Sequence, residues 1–179
     1  MKWLQKSIDI IDSTTEFSGK IISWLTLIMV VTMFTIVLLR YGFNVGWIAM
    51  QESVLYMHGF IFMLGAAYTL KADGHVRVDI FYHKFSQRKK AYIDIFGTLF
   101  LLLPVTIFIF FISLDYVSNS WQIMEKSSEA GGLPFVYISK SLLLIFAITM
   151  GLQGIAELGR NILVVFNSTE EKHNQVGAS

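Results

Sequence analysis

Along this chain the apolar residues collect into four long blocks separated by short polar segments, and do not alternate at the short period of a water-soluble domain. Residues 21–39 carry no charge and are about as long as the ~20 residues a helix needs to cross the hydrocarbon of a bilayer. Similar runs follow at 48–70, 92–113 and 135–158. The pattern predicts an all-α integral membrane protein with four transmembrane helices and a membrane domain over residues 21–166. Pro104 predicts a kink in the third span, and Pro134 suits the first turn of the fourth.

The flanking segments have patterns of their own. In residues 1–20, Lys2, Lys6, Asp9, Glu16 and Lys20 recur near a helical period while Leu4, Ile8 and Ile11 fall on another stripe, which predicts an amphipathic interfacial helix. Ser13 and Glu16 have the spacing of a capping box that would start a second, longer helix. Acidic residues, a long apolar run and the lack of an A-x-A-like site speak against a cleaved signal peptide. In the segment from Lys71 to Lys90, Asp79 can cap a short interfacial helix reaching Phe85, and Ser86 can cap the third span. From Leu114 to Pro134, Val117, Trp121 and Met124 at helical spacing predict another interfacial helix, followed by a Gly131–Gly132 turn. The tail, residues 167–179, is polar and expected to be disordered.

Charge orients the spans. Lys2, Lys6, Lys20, the Lys/Arg of the 71–90 loop, Arg160 and Lys172 fall on one side, against Arg40, Lys126 and Lys140 on the other. Lys and Arg beside a span are retained on the cytoplasmic side, so both termini are expected inside, N-in/C-in. On the second span, Met50, Val54, Met57, Ile61 and Leu64 form an apolar stripe expected to face lipid. Gln51, Glu52, Leu55, His58, Gly59, Phe62, Gly65 and Ala66 share the other side, expected to face protein. That would make this the central helix. Ala147, Gly151 and Gly154 give the fourth span a small-residue face, with Gln153 and Glu157 beside it.

Composition narrows the function. The chain is 54% hydrophobic and 15% charged with a mean hydropathy of +0.58, and its net charge of +1 lacks the clustered basic face that nucleic acid requires. Without cysteine there is no disulfide, thiolate nucleophile or cysteine-bound cluster. Arg40 and Glu52 flank the first outer turn and are expected to pair across the helical hairpin, with Trp47 in the headgroup belt between them. The sharper alternative, a substrate or ion site, would need charges or broken helices at depth. His58 is the one histidine inside a span, so a bis-histidine haem lacks its second ligand. His75, His83 and Asp79 match no zinc spacing. No set of side chains converges as a catalytic site, so no enzyme activity, cofactor or metal is expected. Physics alone stops at an accessory membrane subunit embedded in lipid.

The run AAYTLKADGHVRVDIFY, with WIAMQESV before it and SWQIMEKSSEAGGLP and LQGIAELGR after it, resembles the small membrane subunit of TRAP transporters, the tripartite ATP-independent periplasmic type. The resemblance covers about residues 21–160. It implies a bacterial inner-membrane protein bound to a large elevator-type subunit that holds the substrate and sodium sites, with a periplasmic binding protein delivering an organic acid. The small subunit would be a scaffold. On this resemblance Arg40 and Glu52 match recurrent charged positions, and His75, Val76, Arg77, Val78 and Asp79 match the cytoplasmic motif. Gln51 departs from it, since many relatives carry a second acid there. Candidate interface or structural residues are then Arg40, Trp47, Glu52, His58, Gly59, Gly65, His75, Arg77, Asp79, Gly151 and Gly154. Trp121, Glu125, Lys126 and Glu129 are candidates for docking the binding protein. The competing readings are the membrane anchor of a respiratory or redox enzyme and a self-assembling channel.

Overall fold

The computed structural model describes residues 2–75, 82 and 84–176, and every regular element among them is helical. Helix α1 spans Lys2–Gly42 and α2 spans Ile48–Lys71. Helix α3, Gln87–Gly97, continues through a π-helical turn at Thr98–Leu102 into α4, Leu103–Gln122, and α5 spans Val136–Val176. Four stretches are long and apolar enough to cross a membrane: Gln5–Gly42, Ile48–Lys71, Gln87–Gln122 and Val136–Phe166. The end of the molecule that holds Lys71 and Gln87 is called the loop side below, and the end with residues 43–47 and 123–135 the far side.

The boundaries depart from the sequence reading in ways that have physical causes. Helix α1 passes through Ser13 without a break, so no capping box forms and residues 2–20 are the first half of one 41-residue helix. What overrides the local start signal is a tertiary seam. Ile8, Thr15 and Ile22 recur at heptad spacing and are buried, and between them Gly19 lies so close to Tyr68 that an added β-carbon would sit 2.8 Å from the ring carbon Cγ. At 1.5 Å per residue the helix is about 60 Å long, roughly twice the ~30 Å of hydrocarbon.

The third crossing is longer than its apolar core suggested. Residues 114–122 belong to α4, so Val117 and Trp121 continue the span in place of a separate interfacial helix, and Met124 follows its end with a φ of 46°. Pro104 is accommodated by the π turn just before it, where Leu103 N–H donates to Thr98 O. The wider turn absorbs both the missing proline N–H and the clash of its ring with the preceding carbonyl. Helix α5 starts at Val136, beyond Pro134, and stays helical to Val176, so residues 167–176 are not irregular. Ser86 does stand at the N-terminal cap position of α3, without a side-chain bond to the helix. The short helix expected from Asp79 falls outside the described residues.

Packing places α5, not α2, at the centre. It lies against α1, α2, α3 and α4, whereas the third crossing rests on α5 and has no comparable contact with α1 or α2. Two faces of α5 make this arrangement fit. Toward α4 it offers Ala147, Gly151 and Gly154, where an added β-carbon on Gly154 would meet Leu102 Cδ2 at 2.7 Å and one on Gly151 would meet Thr106 Oγ1 at 3.6 Å. Helix α4 answers with small or short residues, burying Thr106, Ser113, Val117 and Ser120 while turning Phe108, Phe111 and Ile112 outward. Small residues let backbones approach when lipid removes any hydrophobic drive between helices.

Candidate functional site

Helix α2 does not turn its apolar stripe to lipid as expected. Val54 is 8% exposed, and Met57, Ile61 and Leu64 are partly covered by α1 and α5, so the apolar stripe does not face lipid. Gln51, Leu55, His58 and Phe62 form the outward stripe, with Leu55 and Phe62 each 66% exposed. The cause is the place of α2 beside α5: the smooth apolar side fits against this chain's own helices, which leaves the mixed side uncovered. Gly59 belongs to the inner contact, with Leu142 Cδ1 3.3 Å from where its β-carbon would be, while Gly65 has open space. His58 stacks on Phe62 at 6.4 Å between ring centroids. It lies about 15 Å along the helix from Ile48, near the depth of the bilayer centre.

On the far side, Glu52 does not pair with Arg40. One carboxylate oxygen accepts the Ser127 hydroxyl, and the other accepts Leu133 N–H at 2.5 Å. The acid at the start of α2 therefore clasps the loop between α4 and α5. That loop turns tightly, with Gly131 at φ 81°. At Gly132 a β-carbon would lie 2.6 Å from Ser127 Cβ and 2.8 Å from Glu52 Oε1. A second clasp joins Lys140 to Glu125 at 2.5 Å, with the ammonium 4.0 Å from the Tyr116 ring centroid. The ammonium bonded to Glu125 holds that carboxyl below the usual carboxylate range. Trp121 Nε1 donates to Ser141 Oγ at 2.8 Å, and its ring meets Tyr137 edge-on. Of the four residues considered for docking, Trp121 and Glu125 thus bond within the chain, while Lys126 and Glu129 point into open space with exposed side chains. Trp47, also exposed, precedes the first residue of α2.

On the loop side a polar cluster ties α1 to α5. Thr15 Oγ1 donates to Gln153 Oε1 at 2.8 Å, Gln153 Nε2 donates to Asp12 Oδ1 at 3.1 Å, and Arg160 Nη2 reaches Asp12 Oδ2 at 2.9 Å. Arg160 also bonds Glu157 at 3.0 Å, and Lys71 Nζ donates to the carbonyl of Asp12 at 2.9 Å and to Glu16 at 3.1 Å. Gln153 is fully buried, so its amide must be satisfied by these partners. Sequence reasoning missed Asp12, Thr15 and Arg160 because it laid residues 1–20 on the membrane surface. The available signal was Ile8, Thr15 and Ile22 at heptad spacing. His75 is exposed at the start of the loop, and Arg77 and Asp79 lie outside the described residues. No group of three or more His, Cys, Asp or Glu that could hold a metal occurs among the described residues.

These features define the class as a polytopic helical protein of the membrane. The chain belongs to the family of tripartite ATP-independent periplasmic transporters, DctQ component, whose model matches residues 29–163. It is the small membrane subunit of such a transporter, a multi-pass inner-membrane protein and a transporter component, not an enzyme. That assignment removes the redox-enzyme anchor as a reading. Comparison with curated proteins and with solved structures found no match.

Proposed function

We propose that this chain is the fixed scaffold against which a large membrane subunit moves, in a sodium-coupled transporter fed with an organic acid by a periplasmic binding protein. The observation that carries the reading is the outward stripe of α2. An imidazole within a span, His58 near the bilayer centre, is exposed on the side of α2 turned away from the other helices of this chain, and a polar group at such depth is costly in lipid and seeks a protein partner. Phe62, Leu55 and the open Gly65 supply the shape for a neighbouring helix. The loop side, rich in Lys and Arg, faces the cytoplasm in this reading, with both termini inside. The clasped 123–135 loop then faces the periplasm, where Lys126 and Glu129 meet the binding protein and Trp121 and Glu125 hold the loop in shape. The motif residues His75, Arg77 and Asp79 are assigned to assembly with the partner on its cytoplasmic side.

The absence of cysteine makes the test direct. Single cysteines placed at Leu55 and Phe62, with the large subunit carrying its own single cysteines, should cross-link in membranes, and substrate uptake should require both chains. Robust uptake by liposomes holding this chain alone would overturn the scaffold reading.

A further inference from the structure

We propose that the far-side groove between α1 and α2 is a phospholipid site, with the lipid phosphate held by Arg40 and one acyl chain lying between the helices. The sequence offered Glu52 as the partner of Arg40, but Glu52 is occupied by Ser127 and Leu133. Among the described residues the Arg40 guanidinium makes no ion pair or hydrogen bond, although it stands at the end of a span where a lone cation needs an anion or water.

Two cavities meet at this side chain, and they differ in character along the membrane normal. The inner one, about 340 Å³, is lined by Met33, Ile36, Val37 and Val54 together with Arg40, Tyr41 and Gln51, the three residues it shares with the outer one. The outer one, about 560 Å³, is bordered by Arg40, Tyr41, Asn44, Gly46, Ile48 and Gln51 at the turn between the helices. An apolar slot continuing into a space of mixed, more polar lining, with a cation shared by the two, follows the order of a phospholipid: tail, phosphate, headgroup. A guanidinium presents several donors in a fork that suits a phosphate diester, and the Gln51 amide adds donors beside it. Charge complementarity selects this occupant over an uncharged helix or a detergent tail. Apart from Gln51, which borders both, the residues of this site line the groove and not the outward stripe of α2, so the site does not depend on a large subunit covering Leu55, His58 and Phe62.

The test is native mass spectrometry of the full-length chain, delipidated and then supplied separately with phosphatidylethanolamine, phosphatidylglycerol or phosphate-free diacylglycerol. Both phospholipids should be retained and diacylglycerol should not. Arg40→Gln should lower phospholipid retention about tenfold, the scale of losing one charge-assisted hydrogen bond. Val37→Trp, which fills the slot and leaves the guanidinium in place, should also lower it, whereas Lys126→Gln should leave it unchanged. Helicity and monodisperse elution are checked for each variant, and Arg40→Lys, which keeps the charge, should retain lipid better than Arg40→Gln. Equal retention by wild type, Arg40→Gln and Val37→Trp, or equal retention of diacylglycerol, would overturn the site. So would a cross-link placing Arg40 against a carboxylate of the large subunit with no lipid retained.

Discussion

Single residues decide how the far side is held together. Glu52 bonds a loop more than seventy positions away in sequence, so Glu52→Ala should free residues 123–135, seen as faster amide exchange there, with the helices unchanged. Glu52→Lys should free the loop as well, and adding Arg40→Glu to it should not restore protection; restoration by the swapped charges would mean the two residues pair after all. Glu125 gives the same loop a pH dependence. Its carboxyl titrates below its ordinary 4.5 because Lys140 bonds the charged form, so the stabilisation is complete above the unfolded value and is lost as pH falls through the lowered folded one. Loop protection should therefore hold at pH 6 and 5 and decline only in stronger acid, and Glu125→Gln should remove that component of the decline. At the other end, Gln153→Leu would take from the buried Thr15 hydroxyl its acceptor, while Asp12 keeps Arg160. A loss of about 1–3 kcal/mol follows for an unsatisfied buried polar group, measurable as earlier thermal unfolding in detergent.

Among the elements, the close approach of α4 to α5 rests on glycine. Gly154→Leu would drive a side chain into Leu102 and Leu103, and because the third crossing has no other extensive support it should detach first. Cysteines at Thr106 and Gly151 would then cross-link less efficiently, while a pair at Gly19 and Tyr68 should behave as in the parent chain. Such contacts mark the limit of what the sequence could disclose. The four crossings were legible because uninterrupted apolar length depends on composition alone. Helix junctions were less so: Ser13 and Glu16 carry a genuine start signal, but the Ile8–Thr15–Ile22 seam acts through helices distant in sequence. For α2 the division into two stripes was visible, whereas its direction was not, since a bundle can bury either stripe and only the position of α5 decides. The Glu52 clasp was hidden for the same reason, because a backbone N–H freed by a glycine turn has no letter of its own in the sequence.

At the scale of the whole molecule the arrangement is open: α1 and α2 lie on one side of α5 and the third crossing on the other. Two outer surfaces of different chemistry result. The third crossing shows Phe108, Phe111 and Ile112, wholly apolar and suited to acyl chains, while α2 shows Gln51, Leu55, His58 and Phe62. A bilayer offers no hydrogen-bond partner to the second surface, so a large subunit should seat on α2 and leave the phenylalanine face in lipid. This distinguishes two modes of assembly. Cysteines at Leu55 and Phe62 should lose reactivity toward a lipid-soluble thiol reagent when the large subunit is co-expressed, and cysteines at Phe108 and Ile112 should keep theirs. His58→Leu should weaken co-purification by removing the imidazole that the partner must satisfy, with span insertion intact. If protection appeared at Phe108 and Ile112 instead, the partner would be docking through apolar shape alone, and the polar stripe of α2 would need another occupant.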